Sequence, residues 1–265
     1  MSQATHTDPF FHFREKIAAG GVCIGPGISL TDPRVTDALG DSVDFIWIDL
    51  EHSLMSPEAV AGHMLAARGR HVPVLVRVVA GETAFIKPIL DAGADGIIVP
   101  QVTSAAEVKR AVDDCRYPPV GTRGYGPRVP SNYGRDGGDD YVRRANEDVF
   151  TSVMIETRQA VEAIDEIVAV PGLDSIVLGP MDLSASYGLL GQVEHPTVVA
   201  ALEHVIARAR AAGCLVGSGM GVDSATAVRM AKRGVQWVQI GGDCGYLIAH
   251  MDLLRREVEA GLDNV

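Results

Sequence analysis

SVMIE (Ser152–Glu156) and DSIVLGPMDLS (Asp174–Ser184) are two apolar runs that each stop at a carboxylate, Glu156 in the first and Asp182 in the second. The runs are short, β-branched and apolar on both faces. That is the pattern of strands covered by helices on one side and packed inward on the other. An acid at the carboxyl end of such a strand stands where parallel α/β proteins build their active sites. Two acids on neighbouring strands, with no cluster of thiols or imidazoles nearby, suit a hard divalent cation such as Mg²⁺ or Mn²⁺. On the residues alone, each acid can equally cap the helix that follows it.

The same unit recurs on either side. Strand candidates are Val22–Pro26, Asp44–Leu50, Val72–Val78, Gly96–Pro100, Ser152–Glu156, Asp174–Pro180, Cys214–Gly219 and Trp237–Gly241. Between them lie amphipathic stretches: Pro57–Arg68, Ala84–Leu90, Ala105–Cys115, Arg158–Val168, Pro196–Ala212, Ser224–Arg233 and Tyr246–Ala260. Ser56 before Pro57 is an N-cap followed by proline at the first helical position, and Gly93 can end its helix. Strand–helix units of about 30 residues, repeated to this length, fit a (β/α)₈ TIM barrel of the α/β class. A doubly wound open sheet has no rule that brings units five and six beside units two and three. No linker divides the chain, so residues 1–265 are expected to form a single barrel domain, with an N-terminal segment and helix over 1–20. One stretch breaks the rhythm. Arg116–Asp148, rich in Gly and Pro, reads as a long loop belonging to the catalytic face.

With 265 residues, 47% hydrophobic and 22% charged, the chain has ample material for one core. A formal net charge of −11 argues against nucleic acid or an anionic membrane as partner. No run approaches the roughly 18 apolar residues of a membrane span. The N-terminus has no basic segment leading into an apolar core, so no secretory signal is read there. The four scattered cysteines make no CxxC pair and read as reduced thiols. A cytoplasmic location is expected.

Further polar residues fall at the same end of the strands. In Asp49-Leu50-Glu51-His52 a tight turn lets the Asp49 carboxylate hold one imidazole nitrogen, leaving the other for proton transfer. Arg77, after four apolar strand residues, needs either a buried acid or an anionic substrate. Gly179-Pro180-Met181 precedes Asp182 in a turn whose backbone N–H groups can hold a substrate carboxylate. Gly217–Gly221 and Gly241-Gly242 make either tight turns or a phosphate site. The other histidines, His63 among them, read as structural or surface groups.

Assembled in order, DFIWIDLEHS, PVLVRV, IKPILDAGADGIIVPQV, CRYPPVGTRGYG, VMIETRQAVEAIDEIVAVPGLDSIVLGPMDLSASYG and IGGD resemble the HpcH/HpaI aldolase family, metal-dependent class II pyruvate aldolases. The likeness runs from about residue 13 to 262. It implies that Glu156 and Asp182 ligate Mg²⁺ or Mn²⁺, with Co²⁺ also serving and no organic cofactor. It implies that His52, oriented by Asp49, serves the acid–base steps, and that Arg77 binds the keto oxygen. Backbone around Gly179, Pro180, Met181 and Asp182 would hold the carboxylate of pyruvate. Asp91 would approach a neighbouring subunit's site. A homo-oligomer, trimer or hexamer, is implied, with the C-terminal helix exchanged between subunits. Met154, Met181, Ser53 and the glycines at 217–221 depart from the family's pattern, which bears on the aldehyde more than on the chemistry. Arg123 and Arg128 can hold a distal carboxylate and so favour a diacid. No candidate strand contains lysine, and Lys87 falls on a helix, against Schiff-base chemistry. The expected reaction is reversible cleavage of a 4-hydroxy-2-oxo acid to pyruvate and an aldehyde. A citramalyl- or malyl-CoA lyase of the same superfamily, and a non-catalytic barrel binding a phosphorylated ligand, are the alternatives.

Overall fold

The computed structural model describes residues 8–221 and 223–262; of the expected N-terminal segment, residues 1–7 lie outside it, His6 with them. Eight parallel strands close into a barrel in chain order. They are β1 (Cys23–Ile28), β2 (Ile46–Asp49), β3 (Val74–Arg77), β4 (Gly96–Val99), β5 (Phe150–Ile155), β6 (Ser175–Leu178), β7 (Leu215–Met220) and β8 (Trp237–Gly242). The helices are α1 (Phe11–Ala18), α2 (Arg34–Leu39), α3 (Pro57–Gly69), α4 (Thr83–Ala92), α5 (Ala105–Cys115) and α6 (Gly138–Asp148). They continue with α7 (Arg158–Glu162), α8 (Ile164–Val168), α9 (Pro180–Ser186), α10 (Pro196–Ala211), α11 (Ser224–Lys232) and α12 (Asp243–Leu262). Ser56 caps α3 as expected, accepting from the Ala59 N–H, and Gly93 ends α4 with φ 113°.

The expected barrel is present. Two local expectations are corrected. The stretch 116–148 is not all loop, because Gly138–Asp148 is helical. Nor does it belong to the catalytic face. It leads from the end of α5 to the start of β5, so it lies where the strands begin. Arg116 anchors it there: its guanidinium donates to Thr151 Oγ1 at 3.1 Å and to the Gly172 carbonyl at 2.8 Å. The stretch Arg158–Val168 is two short helices that meet at Ala163 rather than one.

Burial divides by strand face. Ile46, Ile48, Val74, Val76, Ile97, Val99, Ile176 and Leu178 point outward to the helices. Trp47, Leu75, Ile98, Phe150, Met154, Val177 and Trp237 fill the barrel. Below them Phe10 and Phe13 close its floor. Phe10 stacks on Phe150 with ring centres 4.7 Å apart, and Phe13 meets the edges of Phe45 and Trp237. Aspartates stand just before three even-numbered strands and accept a backbone N–H from the strand before: Asp44 from Ile24 (2.7 Å), Asp95 from Val74 (2.9 Å) and Asp174 from Thr151 (2.9 Å). Each fixes the pairing of two strands at their feet.

Candidate active site

The inward alternation that places Trp47, Leu75 and Met154 in the barrel puts Asp49, Arg77 and Glu156, two residues on, at its carboxyl-end mouth. Asp49 and Arg77 are register partners on β2 and β3. The guanidinium forks onto the carboxylate, Nε to Oδ1 at 2.9 Å and Nη2 to Oδ2 at 2.6 Å, and stacks 5.5 Å from the Trp47 ring centre. Its remaining nitrogen, Nη1, reaches Glu51 Oε2 at 3.0 Å and donates to Met154 Sδ at 3.6 Å. Burial pushes the Asp49 carboxyl up. The Arg77 hydrogen bonds and charge, with the N–H groups of Glu51 and His52, outweigh it and leave that carboxyl below its ordinary value.

The expected Asp49–His52 ring contact is not formed. From this turn Asp49 accepts the backbone N–H of His52, at 3.3 Å, and that of Glu51, at 3.0 Å, not the imidazole. Its side-chain capacity goes to Arg77. The His52 imidazole is instead 3.7 Å from Glu51 Oε2, with 63% of its side chain exposed at the mouth. The turn leaves room for this because the Ser53 hydroxyl donates back to the Asp49 carbonyl.

Glu156 is buried, and its Oε1 accepts the Gln101 N–H at 2.6 Å. Gln101 takes φ 55° after β4, a left-handed conformation that turns its N–H toward Glu156. Its side-chain amide donates to Glu51 Oε1 at 3.2 Å. Glu51 and Gln101 thus tie the β2 and β4 ends to β5, and sequence reasoning gave neither a role. Burial pushes the Glu156 carboxyl up to about 7; the charges of Glu51 and Asp182 act the same way, against the Gln101 hydrogen bond and Arg77. A Cβ at Gly179 would stand 2.6 Å from Glu156 Oε2, so only glycine lets β6 pass this carboxylate. Beyond it, Pro180 opens α9, with Met181 and Asp182 in its exposed first turn.

Among the described residues no group of three His, Cys, Asp or Glu side chains forms a metal cage. The donor set on offer is a carboxylate pair. Burial first, and then the negative charges of Glu51 and Asp182, disfavour the ionised Glu156; a bound cation would offset them, so Glu156 and Asp182 fit a hard divalent ion.

Asp91 and Arg123 stand elsewhere. Asp91 is in the last turn of α4, at the foot of the barrel, and its Oδ1 accepts from Arg123 Nη2 at 2.6 Å. Arg123 is buried, with its guanidinium 4.5 Å from the Tyr117 ring centre. Within one protomer neither reaches Glu156, and Arg123 is already neutralised. The expectation that Arg123 binds substrate in its own subunit is corrected. Gly217 packs against the Trp237 ring, where a Cβ would come within 2.1 Å.

The sequence profile of the HpcH/HpaI aldolase/citrate lyase family matches residues 30–249. A hydroxypyruvate/pyruvate aldolase of Roseovarius nubinhibens is 34% identical over 232 residues, 87% of this chain and 90% of that protein. A 2-keto-3-deoxy-L-rhamnonate aldolase of Salmonella gallinarum is 34% identical over 234 residues, 87% of this chain and 86% of its own. The crystal structure of a family protein from Burkholderia cenocepacia superposes with a TM-score of 0.88 at 29% identity, over 96% of this chain and 100% of that one. The chain belongs to the HpcH/HpaI aldolase/citrate lyase family and is a lyase of the aldolase kind.

Proposed function

We propose that the protein is a divalent-metal-dependent, class II pyruvate aldolase that reversibly cleaves a 4-hydroxy-2-oxo acid to pyruvate and an aldehyde. The observation that carries this is the convergence of Glu156, Asp49, Arg77 and Glu51 at one barrel mouth, with Asp182 and His52 at its rim. Glu156 and Asp182 would hold Mg²⁺ or Mn²⁺. The ion, when bound, would supply Lewis acidity toward the 2-oxo acid.

The remaining work belongs to the chain. Arg77 is locked by Asp49 and Glu51, so its charge is fixed where the enolate oxygen develops and needs no reorganisation. His52, held loosely beside Glu51, can take the proton from the C4 hydroxyl in cleavage and return it in synthesis. Backbone N–H groups of Met181 and Asp182 at the start of α9, where Pro180 has none, would bind the carboxylate of pyruvate. The relatives named as aldolases acting on 2-oxo acids support the reading over an acyl-CoA lyase.

Asp91 can enter catalysis only at the mouth of another copy, so its expected role requires a homo-oligomer. The apolar stripe on α12, with Leu247, Ile248, Met251, Leu254, Val258 and Leu262 exposed, supports assembly as a trimer or hexamer through the C-terminal helix. No described helix is long and apolar enough to cross a membrane, in keeping with the proposed cytoplasmic setting.

Treatment with EDTA is expected to abolish pyruvate release from a 4-hydroxy-2-oxo acid, and Mn²⁺, Mg²⁺ or Co²⁺ to restore it. Full turnover by metal-free protein would refute the reading.

A further inference from the structure

The barrel mouth has two unlike halves. Its β2, β3 and β5 side carries Asp49, Arg77, Met154 and Glu156. Its β6, β7 and β1 side carries Gly179, Gly219 and Gly27, which leave backbone in place of side chains. Glu156 and Met154 fill the space at Gly179, and Gln239 reaches into that left by Gly27 and Gly219. Gln239 follows Trp237 on the inner face of β8 and pairs in register with Gly219 of β7 and Gly25 of β1. Its carboxamide lies between the two outer glycines. A Cβ on Gly27 would stand 2.9 Å from Nε2, and one on Gly219 would stand 3.0 Å from Oε1.

The two ends of that carboxamide are differently placed. Nε2 donates to the Gly241 carbonyl, which fixes the plane of the group. Oε1 accepts no hydrogen bond among the described residues and faces the side left open by Gly219. Gln239 is half-buried, so this acceptor is desolvated in part yet open to a ligand. An oriented neutral acceptor selects a donor. Among the groups an aldehyde can carry, a hydroxyl donates, a methyl does not, and a carboxylate presents only acceptors that repel Oε1.

We infer that Gln239 is a specificity-determining residue: it accepts a hydrogen bond from a hydroxyl of the aldehyde, so the site favours a hydroxyaldehyde over its deoxy analogue. The inference deepens the aldolase reading and rests on it. It runs against a dicarboxylate product, since Arg123 is engaged by Asp91 at the other end of the barrel.

The experiment compares glycolaldehyde with propanal, which has a methyl in place of the hydroxyl. Pyruvate condensation is measured with Mg²⁺ as kcat/KM for each aldehyde. The unaltered protein is expected to prefer glycolaldehyde. In Gln239→Leu, similar in size without the acceptor, the ratio should fall by about tenfold, the loss of one neutral hydrogen bond. Gly219→Ala crowds Oε1 without removing it and should lower the same ratio. Because each ratio is internal to one variant, a loss of folded protein cancels. An unchanged ratio in Gln239→Leu overturns the assignment. Exchange of the pyruvate C3 protons for deuterium in the unaltered protein is measured first. Its absence would overturn the aldolase reading itself, whereas exchange with an unmoved aldehyde ratio overturns only the role of Gln239.

Discussion

Gly179 is the glycine at the mouth that packs directly against Glu156. Its missing Cβ leaves Glu156 Oε2 and the Met154 methyl the space they occupy. In Gly179→Ala the added methyl would sit 2.6 Å from Oε2, so the carboxylate must rotate away from the Gln101 N–H that holds its other oxygen. Overpacking of this kind costs about 1–3 kcal/mol. The folded barrel should survive it, but divalent-metal affinity and kcat should both drop by at least ~10²-fold, since displacement of a positioned group by about 1 Å has that effect. Isothermal titration with Mn²⁺ alongside a thermal melt separates the two: a variant that binds the ion normally would show that Gly179 is a packing residue only. Arg77 illustrates the opposite economy. Each of its terminal nitrogens has a partner of its own, so lysine in its place would retain the charge and lose the fork.

The three aspartates at the feet of the even strands do one job with unequal electrostatics. Asp44 pairs with Lys16 at 2.7 Å, and Asp174 lies 3.4 Å from Arg14 and 3.7 Å from Arg116. Among the described residues Asp95 has no such close cation. Burial pushes its carboxyl up to about 7, with only the Val74 N–H and the distant charge of Arg68 acting against it. Above pH ~4 the unfolded chain loses this proton while the folded protein keeps it until about pH 7, so Asp95 subtracts stability progressively across that window. Asp95→Asn keeps an oxygen for Val74 and removes the titration. Its melting temperature relative to the parent should therefore climb from pH 4 to pH 7 and level off above. A constant difference over that range would mean that Asp95 is charged in the fold.

The strands themselves were readable because parallel strands are apolar on both faces, and the acids at their ends stood out against that background. Glu156, Asp49 and Arg77 were found in this way. The helix α6 was hidden by its composition: GDDYVRRANED is almost wholly polar and sits behind a glycine-rich stretch, so Tyr141 is its one buried residue. The side of the barrel follows from α5, which carries the chain back to the feet of the strands before this segment begins. The partner of Asp49 was beyond reach for another reason. Whether a carboxylate meets an imidazole or a guanidinium depends on strand register and turn geometry. The 2.9 Å contact with Arg77 crosses from β2 to β3, and no local spacing encodes it. The left-handed φ of Gln101 had no glycine or asparagine to announce it.

At the scale of the whole molecule, α12 leaves the barrel after Asp243, whose carboxylate accepts the N–H groups of Ser29 and Leu30 at 2.9 and 2.8 Å. The helix is thus anchored at one end, while its long apolar stripe is left uncovered by the described residues. Sedimentation velocity should show an oligomer. Replacing Ile248 and Met251 by glutamate should shift it to monomer and lower activity, because Asp91 of one copy would no longer stand near the mouth of the next. A monomeric parent with full activity would refute both parts.

The aromatic stopper beneath the barrel bears on traffic as well as on stability. Phe10, Phe13 and Trp237 are each almost fully buried, so the described residues plug the barrel at this end and leave access to the site from the opposite one. In the proposed reaction both products would share the exit at the mouth, and the one seated deeper would leave second.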